Sequence, residues 1–224
     1  MAKYKEGAVK PAWDAVFRIL EFWRVQEPSV TAVAGRYQRD PWAVLVSTIL
    51  SLRTKDEVTL ATSRALLERA PNPAALLSLS ADEAARLAYP AGFYRTKAEN
   101  LRKIAAILIE RYGGQVPADM DALLALPGVG RKTANLVLIE AFDMDGICVD
   151  VHVHRICNRT GWLSSRNPEE TEMILRKILP RKYWKKINAL LVLYGQQICR
   201  PVSPFCSRCL IGSYCRREGV DRSR

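Results

Sequence analysis

Apolar residues recur along most of the chain at the spacing of amphipathic helices. The clearest stripe places its members three, four, seven, eight and eleven residues after the first: Leu101, Ile104, Ala105, Leu108, Ile109 and Tyr112. This period covers one face of an α-helix. Comparable stripes occupy 11–23, 151–160, 168–179 and 183–199, and the strict alternation of a half-buried strand is absent from the sequence. The pattern therefore predicts an all-α protein of about ten short helices.

Turn and capping residues predict where several of these helices begin and end. Asp40 is placed to cap a helix whose first residue is Pro41, and Asp56 is placed to cap the next helix. Ser80 with Glu83 three residues later has the pattern of a capping box. Gly113 and the glycine after it are expected to close the 101–112 helix.

The most informative stretch is a Gly-rich turn between two predicted helices. Pro127, Gly128, Val129 and Gly130 interrupt a short helix over 117–126, and a second helix is expected from Arg131 onward. A glycine turn that leads into a helix N-terminus presents unpaired N–H groups and the positive end of the helix dipole. The stretch is therefore predicted to bind an anion, and a nucleic-acid phosphate is the obvious one. A plain connector between helices is the alternative.

Lys132 lies in the first turn of that second helix, which makes it a candidate nucleophile. The helix dipole and neighbouring Arg131 disfavour a charged ammonium there, and a nucleophile requires the neutral amine. A contact to phosphate only is the alternative role. A P-loop is excluded, because one extra residue separates Gly130 from Lys132 and no strand precedes the turn.

Composition favours a globular protein with a polyanionic partner. The chain has 224 residues, 49% of them hydrophobic, and a formal net charge of +11. A membrane surface is the weaker candidate partner, because no apolar run is long enough to span a bilayer. Residues 1–5 lack the apolar core of a signal peptide, so we expect a cytoplasmic protein.

Six cysteines in such a compartment point to thiols or metal ligands rather than to disulfides. Four of them lie within seventeen residues near the end of the sequence: Cys199, Cys206, Cys209 and Cys215. Zinc sites of the Cys₄ type usually use two pairs with two intervening residues each, and only one such pair is present. The spacing favours a [4Fe–4S] cluster, with structural zinc or free thiols as alternatives. The remaining cysteines, Cys148 and Cys157, are predicted to be buried core thiols.

Basic residues flank the cysteine loop: Arg200, Arg208, Arg216 and Arg217. They are placed to offset cluster charge, to contact phosphate, or both. A solvated basic tail is the simpler alternative.

The glycine turn, Asp150 and the cysteine loop together resemble the endonuclease III family of helix-hairpin-helix DNA glycosylases. The resemblance runs from about residue 28 to Cys215, nearly the whole chain. It implies an enzyme of base excision repair that removes oxidised pyrimidines such as thymine glycol and then cuts the abasic strand. It also implies two α-helical domains that bind duplex DNA in the cleft between them: a continuous six-helix domain over 34–144, and a discontinuous domain from 1–33 and 145–224 that carries the cluster.

The resemblance also implies roles for individual residues. Lys132 lies at the position of the family's Schiff-base lysine, and Asp150 at that of its essential aspartate. The hairpin of Gly128 to Arg131 corresponds to the segment that grips phosphate, and the four-cysteine loop to the cluster ligands. His152 corresponds to a pocket histidine, with a structural role as the alternative. His154 matches no motif and is expected to be structural.

Two positions depart from the common family pattern. Arg53 stands where many members have the glutamine that fills the space of the extruded base, and Phe93 stands where many have a leucine wedge. A different opposite-base preference is therefore expected, with no direction predicted. The resemblance implies a monomer that acts on damaged or abasic DNA, associated with the nucleoid.

Two other functions remain open from the sequence. One is a monofunctional mismatch glycosylase of the same superfamily, although such relatives generally lack lysine at the position of Lys132. The other is a non-catalytic iron–sulfur module that binds DNA or senses redox state.

Overall fold

The computed structural model describes residues 11–23 and 28–224. Residues 1–5, on which the expectation of no signal peptide depends, lie outside this range. No β-strand occurs within the described ranges, so the prediction of an all-α protein is confirmed. The α-helices of these ranges are α1 (Trp13–Trp23), α2 (Ser29–Arg36), α3 (Pro41–Ser51), α4 (Asp56–Arg69), α5 (Pro73–Ser78), α6 (Ala81–Ala88), α7 (Tyr94–Tyr112), α8 (Met120–Leu124), α9 (Arg131–Phe142), α10 (Val151–Thr160), α11 (Pro168–Ile178) and α12 (Ile187–Gln197).

The chain divides into two compact units. Pro28–Gly146 forms the central unit, which contains α2 to α9. Ile147–Arg224 and α1 belong to the second unit, so the described N-terminal helix joins the C-terminal part of the chain. The domain boundary expected at residue 34 falls inside α2, a helix that the apolar pattern did not predict.

Helix α3 forms the middle of the central unit. Every residue from Trp42 to Leu50 is buried, which is typical of a helix covered on all sides. It packs against α2, α4, α7 and α9. Asp40 caps it as predicted, because the carboxylate accepts a hydrogen bond of 2.8 Å from the N–H of Ala43.

Aromatic side chains dominate the core of the second unit. Trp13 of α1 meets Trp162 edge to face, with ring centres 5.2 Å apart, and Phe17 stacks on Tyr183 at 3.9 Å. Trp162 and Phe17 are almost completely buried. Burial of large rings contributes strongly to core stability, which explains why α1 packs with helices far away in sequence.

The predicted capping box at Ser80 and Glu83 is present. The prediction that Asp56 caps α4 is wrong: Lys55 is the N-cap residue, and Asp56 is the first residue of the helix. Its carboxylate accepts a hydrogen bond of 2.8 Å from Ser29 of α2, a contact distant in sequence. Gly113 closes α7 in a left-handed conformation, as expected.

No helix of the described ranges combines the length and apolar character needed to cross a lipid bilayer.

Candidate functional site

The glycine hairpin joins α8 to α9 in the central unit. Gly128 has φ +76°, which a residue with a side chain rarely adopts. A Cβ at this position would also lie 2.7 Å from the side-chain nitrogen of Asn100. The N–H of Val129 donates to the carbonyl of Leu126 at 3.1 Å and closes the turn. Gly128 is therefore required both by the backbone conformation and by the close approach of α7.

The N-terminus of α9 is open toward an anion. Gly130 is its N-cap residue, has no side chain to cap the first N–H groups, and has open space where a Cβ would lie. Arg131 and Lys132 are the first two residues of the helix, and both are half-buried. A helix N-terminus without a side-chain cap from Gly130, the helix dipole and two basic residues together favour a phosphate at this point.

Asp150 caps α10 in the second unit. Its Oδ1 accepts hydrogen bonds from the N–H groups of His152 and Val153, at 2.8 and 2.9 Å. Among the residues that the structure describes, no hydrogen bond to its other oxygen, Oδ2, is found. The N-cap fixes the carboxylate at the helix start through one oxygen, and the second oxygen can serve chemistry.

His152 contacts an arginine that sequence reasoning did not single out. One terminal nitrogen of Arg155 lies 3.1 Å from His152 Nδ1, and the same nitrogen donates to the carbonyls of Gly195 and Cys199 at 3.0 and 2.8 Å. Arg155 thus links the helix that Asp150 caps to the start of the cysteine loop.

His154 has the structural role that we expected. Its Nδ1 lies 2.7 Å from the hydroxyl of Thr171 on α11. Burial lowers the pKa of His154, and the charge of Glu170 partly opposes this shift. The histidine therefore serves the packing of α10 against α11.

Arg53 and Phe93 lie on neighbouring loops of the central unit. Both have left-handed backbone conformations, with φ of 52° and 57°. The guanidinium carbon of Arg53 lies 5.7 Å from the centre of the Phe93 ring, within the range of a cation–π contact. Both side chains are exposed, so the pair is available to a partner.

The four loop cysteines follow α12 in the second unit. Cys199 is the second residue after the end of α12, Cys206 begins one 3₁₀ turn, and Cys209 and Cys215 each follow such a turn. All four are partly exposed. No group of three or more cysteine, histidine or acidic side chains is found in the described part of the chain at the spacing of one bound metal ion.

Hydrogen-bond donors point at the sulfur atoms of this loop. Arg159 donates to Cys199 Sγ at 3.4 Å, Tyr194 donates to Cys209 Sγ at 3.2 Å, and the N–H of Arg217 donates to Cys215 Sγ at 3.3 Å. Such donors stabilise thiolates and tune a metal centre. The sequence did not indicate a role for Arg159 or Tyr194, because both are distant from their cysteine partners along the chain and contact them only in the fold.

The four thiols are close enough to influence one another. Burial is the largest cause that raises the pKa of Cys209, and the charges of Cys199 and Cys206 raise it further. The pKa of Cys215 is also raised, mainly by burial and further by the charges of the other three loop cysteines. A bound cation would reverse this mutual repulsion, which is the behaviour expected of a ligand set.

The other two cysteines and the flanking arginines behave differently from the loop thiols. Cys148 and Cys157 are completely buried, as predicted, and burial raises the pKa of Cys157 strongly.

The four flanking arginines are exposed, and two of them, Arg200 and Arg208, lie against the ring of Phe205. They form an accessible basic surface on the cysteine loop.

A family model relates more than half of the chain to DNA repair proteins. Residues 46–181 match the model described as "HhH-GPD superfamily base excision DNA repair protein". The chain is 46% identical over 190 residues to endonuclease III of Thermotoga maritima, covering 84% of this chain and 89% of the relative. It is 43% identical to endonuclease III-like protein 1 of Mus musculus, of whose length it spans 62%.

Solved structures of related proteins have the same fold. A trapped endonuclease III–DNA covalent intermediate, in an estranged-adenine complex, matches with a TM-score of 0.75 and 35% identity, covering 80% of this chain and 84% of that one. A thermostable thymine-DNA glycosylase matches with a TM-score of 0.79 and 26% identity, covering 91% and 94%.

Proposed function

The chain belongs to the endonuclease III family of the HhH-GPD superfamily, whose members are base excision repair enzymes, and it is a DNA glycosylase with abasic-site lyase activity; from this premise we propose that Lys132 is its nucleophile and that oxidised pyrimidines such as thymine glycol are its substrates. The observation that carries the proposal is the placement of Lys132. It stands in the first turn of α9, directly after a glycine hairpin that leads into a helix N-terminus, which suits a DNA phosphate.

In the proposed reaction, the neutral amine of Lys132 attacks C1′ of the damaged nucleotide. The bond from nitrogen to C1′ forms as the glycosidic bond breaks, and the base leaves with the electron pair of that bond. The attached nitrogen then loses a proton, the bond from C1′ to O4′ breaks as O4′ takes up a proton, and the opened sugar is joined to the lysine as a protonated imine. Loss of a proton from C2′ breaks the bond from C3′ to the phosphate oxygen, so the strand is cut on the 3′ side.

Asp150 is proposed to stabilise the positive charge that develops at the sugar. A carboxylate placed before the reaction stabilises such charge without reorganisation during the reaction. The hydrogen bonds to Oδ1 hold the group in place, and Oδ2 is proposed to face the chemistry. His152 is proposed to line the base pocket, held in orientation by Arg155.

Arg53 and Phe93 are proposed to occupy the space that the extruded nucleotide leaves. The glycosidic carbon is inaccessible inside a base stack, so the nucleotide must leave it before chemistry. An exposed aromatic ring beside a guanidinium suits this task, because one can stack on bases and the other can donate hydrogen bonds to the estranged base.

The four loop cysteines are proposed to hold a [4Fe–4S] cluster. The donor set supports this assignment, because four thiols of one loop influence one another electrostatically and three of them accept hydrogen bonds. When bound, the cluster would fix the loop that carries Arg200 and Arg208, so that these residues meet the DNA backbone. The loop itself is anchored to α10, where the N–H of Arg216 donates to the carbonyl of Thr160 at 3.1 Å.

The proposal describes a monomer that acts on double-stranded DNA of the nucleoid, in the cytoplasm. Two narrower alternatives make different predictions. A monofunctional mismatch glycosylase would release thymine opposite guanine and leave the strand intact, and a non-catalytic module would bind DNA without changing it.

A panel of duplexes separates these possibilities. The duplexes contain thymine glycol, a T·G mismatch, an abasic site or no lesion, and base release is measured separately from strand cleavage. The proposal predicts base release from the thymine glycol duplex, and strand cleavage of both that duplex and the abasic duplex. Release of thymine from the mismatch without cleavage of the abasic duplex would contradict the proposal.

A further inference from the structure

Lys97 is a charged side chain inside the central unit. Only 6% of its surface is exposed, and it lies on the buried face of α7. Its ammonium donates three hydrogen bonds: to the carbonyls of Leu50 and Leu52 at 2.7 and 2.6 Å, and to the hydroxyl of Thr54 at 2.8 Å. An ammonium has three N–H donors, so every donor is used, as a buried charge requires.

The acceptors of Lys97 lie where α3 ends. The last carbonyls of a helix have no partner within the helix, and they carry the negative end of its dipole. Lys97 satisfies the carbonyl of Leu50 in the last turn of α3 and that of Leu52, the C-cap residue directly after the helix. The contact therefore fixes the segment in which Arg53 takes its left-handed conformation.

The same residue is connected to the loop that carries Phe93. The hydroxyl of Thr54, which accepts from Lys97, also accepts from the N–H of Gly92 at 3.1 Å. The backbone N–H of Lys97 donates to the carbonyl of Phe93 at 3.0 Å. The bond to Phe93 is the first backbone hydrogen bond of α7 and does not depend on the side chain. The side chain of Lys97 is connected to the second loop through the Thr54 hydroxyl, which also accepts from Gly92.

The two loops approach each other so closely that only glycine fits between them. A Cβ on Gly92 would lie 2.7 Å from the carbonyl oxygen of Arg53. Left-handed conformations of residues other than glycine, such as Arg53 and Phe93, are strained and persist only where the surroundings enforce them. The hydrogen bonds around Lys97 supply that enforcement.

We infer that Lys97 is the positioning residue that holds Arg53 and Phe93 together as one preformed unit for insertion into the base stack. This inference rests on the proposed function, which assigns the insertion to these two side chains. Lys97 itself lies too deep to touch DNA, so it acts through the loops. Preformed loops save ordering entropy when the enzyme binds, at the step where a paired nucleotide must be extruded.

The test is Lys97→Met, which keeps much of the stem and removes the ammonium. We expect the single-turnover rate on a paired thymine glycol to fall about tenfold more than the rate of cleavage at an existing abasic site, which corresponds to about 1.4 kcal/mol of activation free energy. The abasic substrate lacks a damaged base to extrude, so it depends less on the preformed loops.

Arg102→Met is the matched control. Arg102 also lies on α7 and also donates to carbonyls at the end of a helix, those of Leu76 and Leu79 near the end of α5, but that segment carries no residue proposed to touch DNA. We expect this variant to lower the melting temperature and to leave the ratio of the two rates unchanged. A ratio that changes equally in both variants would indicate general destabilisation and overturn the inference.

A milder variant keeps the test decisive if Lys97→Met does not fold. Thr54→Val keeps the β-branched shape and removes the hydroxyl that joins Lys97 to Gly92. We expect the same selective loss, by a smaller factor. A folded Thr54→Val protein with the wild-type ratio would overturn the inference. A wild-type enzyme that cuts neither duplex would instead contradict the proposed function, so the two failures are distinguishable.

Discussion

Replacement of Asp150 by asparagine or by alanine separates its structural role from its proposed chemical role. Asparagine caps helices about as well as aspartate, so Asp150→Asn should keep the hydrogen bonds from His152 and Val153 and lose only the charge. Alanine loses both. Asp150 is half-buried and its carboxylate accepts from two N–H groups of the helix. We therefore expect Asp150→Ala to reduce the free energy of unfolding by about 1–2 kcal/mol.

Melting curves measure the structural part of this prediction. For a chain of this size, 1 kcal/mol corresponds to a shift of about 2–4 °C in melting temperature. Asp150→Asn should therefore melt within a few degrees of the wild type, and Asp150→Ala clearly below it. Asp40→Ala is the matched control, because Asp40 also caps a helix through a carboxylate and has no proposed role in catalysis.

Single-turnover base release measures the chemical part. Removal of a preorganised charge-stabilising group typically slows a reaction by about 10²–10³-fold, and we expect that loss for both Asp150 variants. Asp40→Ala should release the base at the wild-type rate. Wild-type base release by a folded Asp150→Asn protein would refute the chemical role, and equal melting of the two Asp150 variants would refute the capping argument.

Three further predictions concern the cluster, the wedge and the buried lysine. The purified protein should contain about four irons per chain, and Cys206→Ser should lose them together with DNA affinity; one zinc per chain without iron would contradict the assignment. Phe93→Ala should slow excision of a paired lesion far more than cleavage at an abasic site. Equal losses of the two rates would argue against insertion of Phe93 into the base stack. Burial lowers the pKa of Lys97 from 10.5 to about 8, so the unfolded chain binds more protons between these values. The free energy of unfolding of the wild type should therefore rise relative to that of Lys97→Met as pH increases through this window. Denaturant titrations at several pH values measure both free energies. A difference between the two proteins that stays constant with pH would contradict the lowered pKa.

Local sequence signals predicted the elements that depend on local physics. The capping box at Ser80, the cap of α3 at Asp40 and the start of α9 at Arg131 all follow from side chains near the helix ends. Asp56 was assigned wrongly because a contact from Ser29, distant in sequence, places its carboxylate elsewhere. Local patterns contain no information on such partners.

The same limit applies to the candidate site. The hairpin, Asp150 and the cysteines were identified from short motifs, whereas Arg155 and Tyr194 became visible only through their contacts in space. Lys97 did leave a signal, since it lies four residues before Leu101 on the apolar stripe of α7. A lysine on a buried stripe indicates that acceptors surround its ammonium, because burial of an unpaired charge is very costly.

Borohydride trapping tests the central claim most directly, because it captures the imine between the enzyme and abasic DNA as a covalent adduct. We predict an adduct with the wild type and none with Lys132→Gln, which should still bind a lesion duplex because glutamine retains much of the lysine stem. Arg131→Gln is the control: it removes a neighbouring residue that we propose contacts phosphate and keeps the amine, so binding should weaken while trapping persists. An adduct formed by Lys132→Gln at the wild-type yield would contradict the account, because the nucleophile would then be another amine.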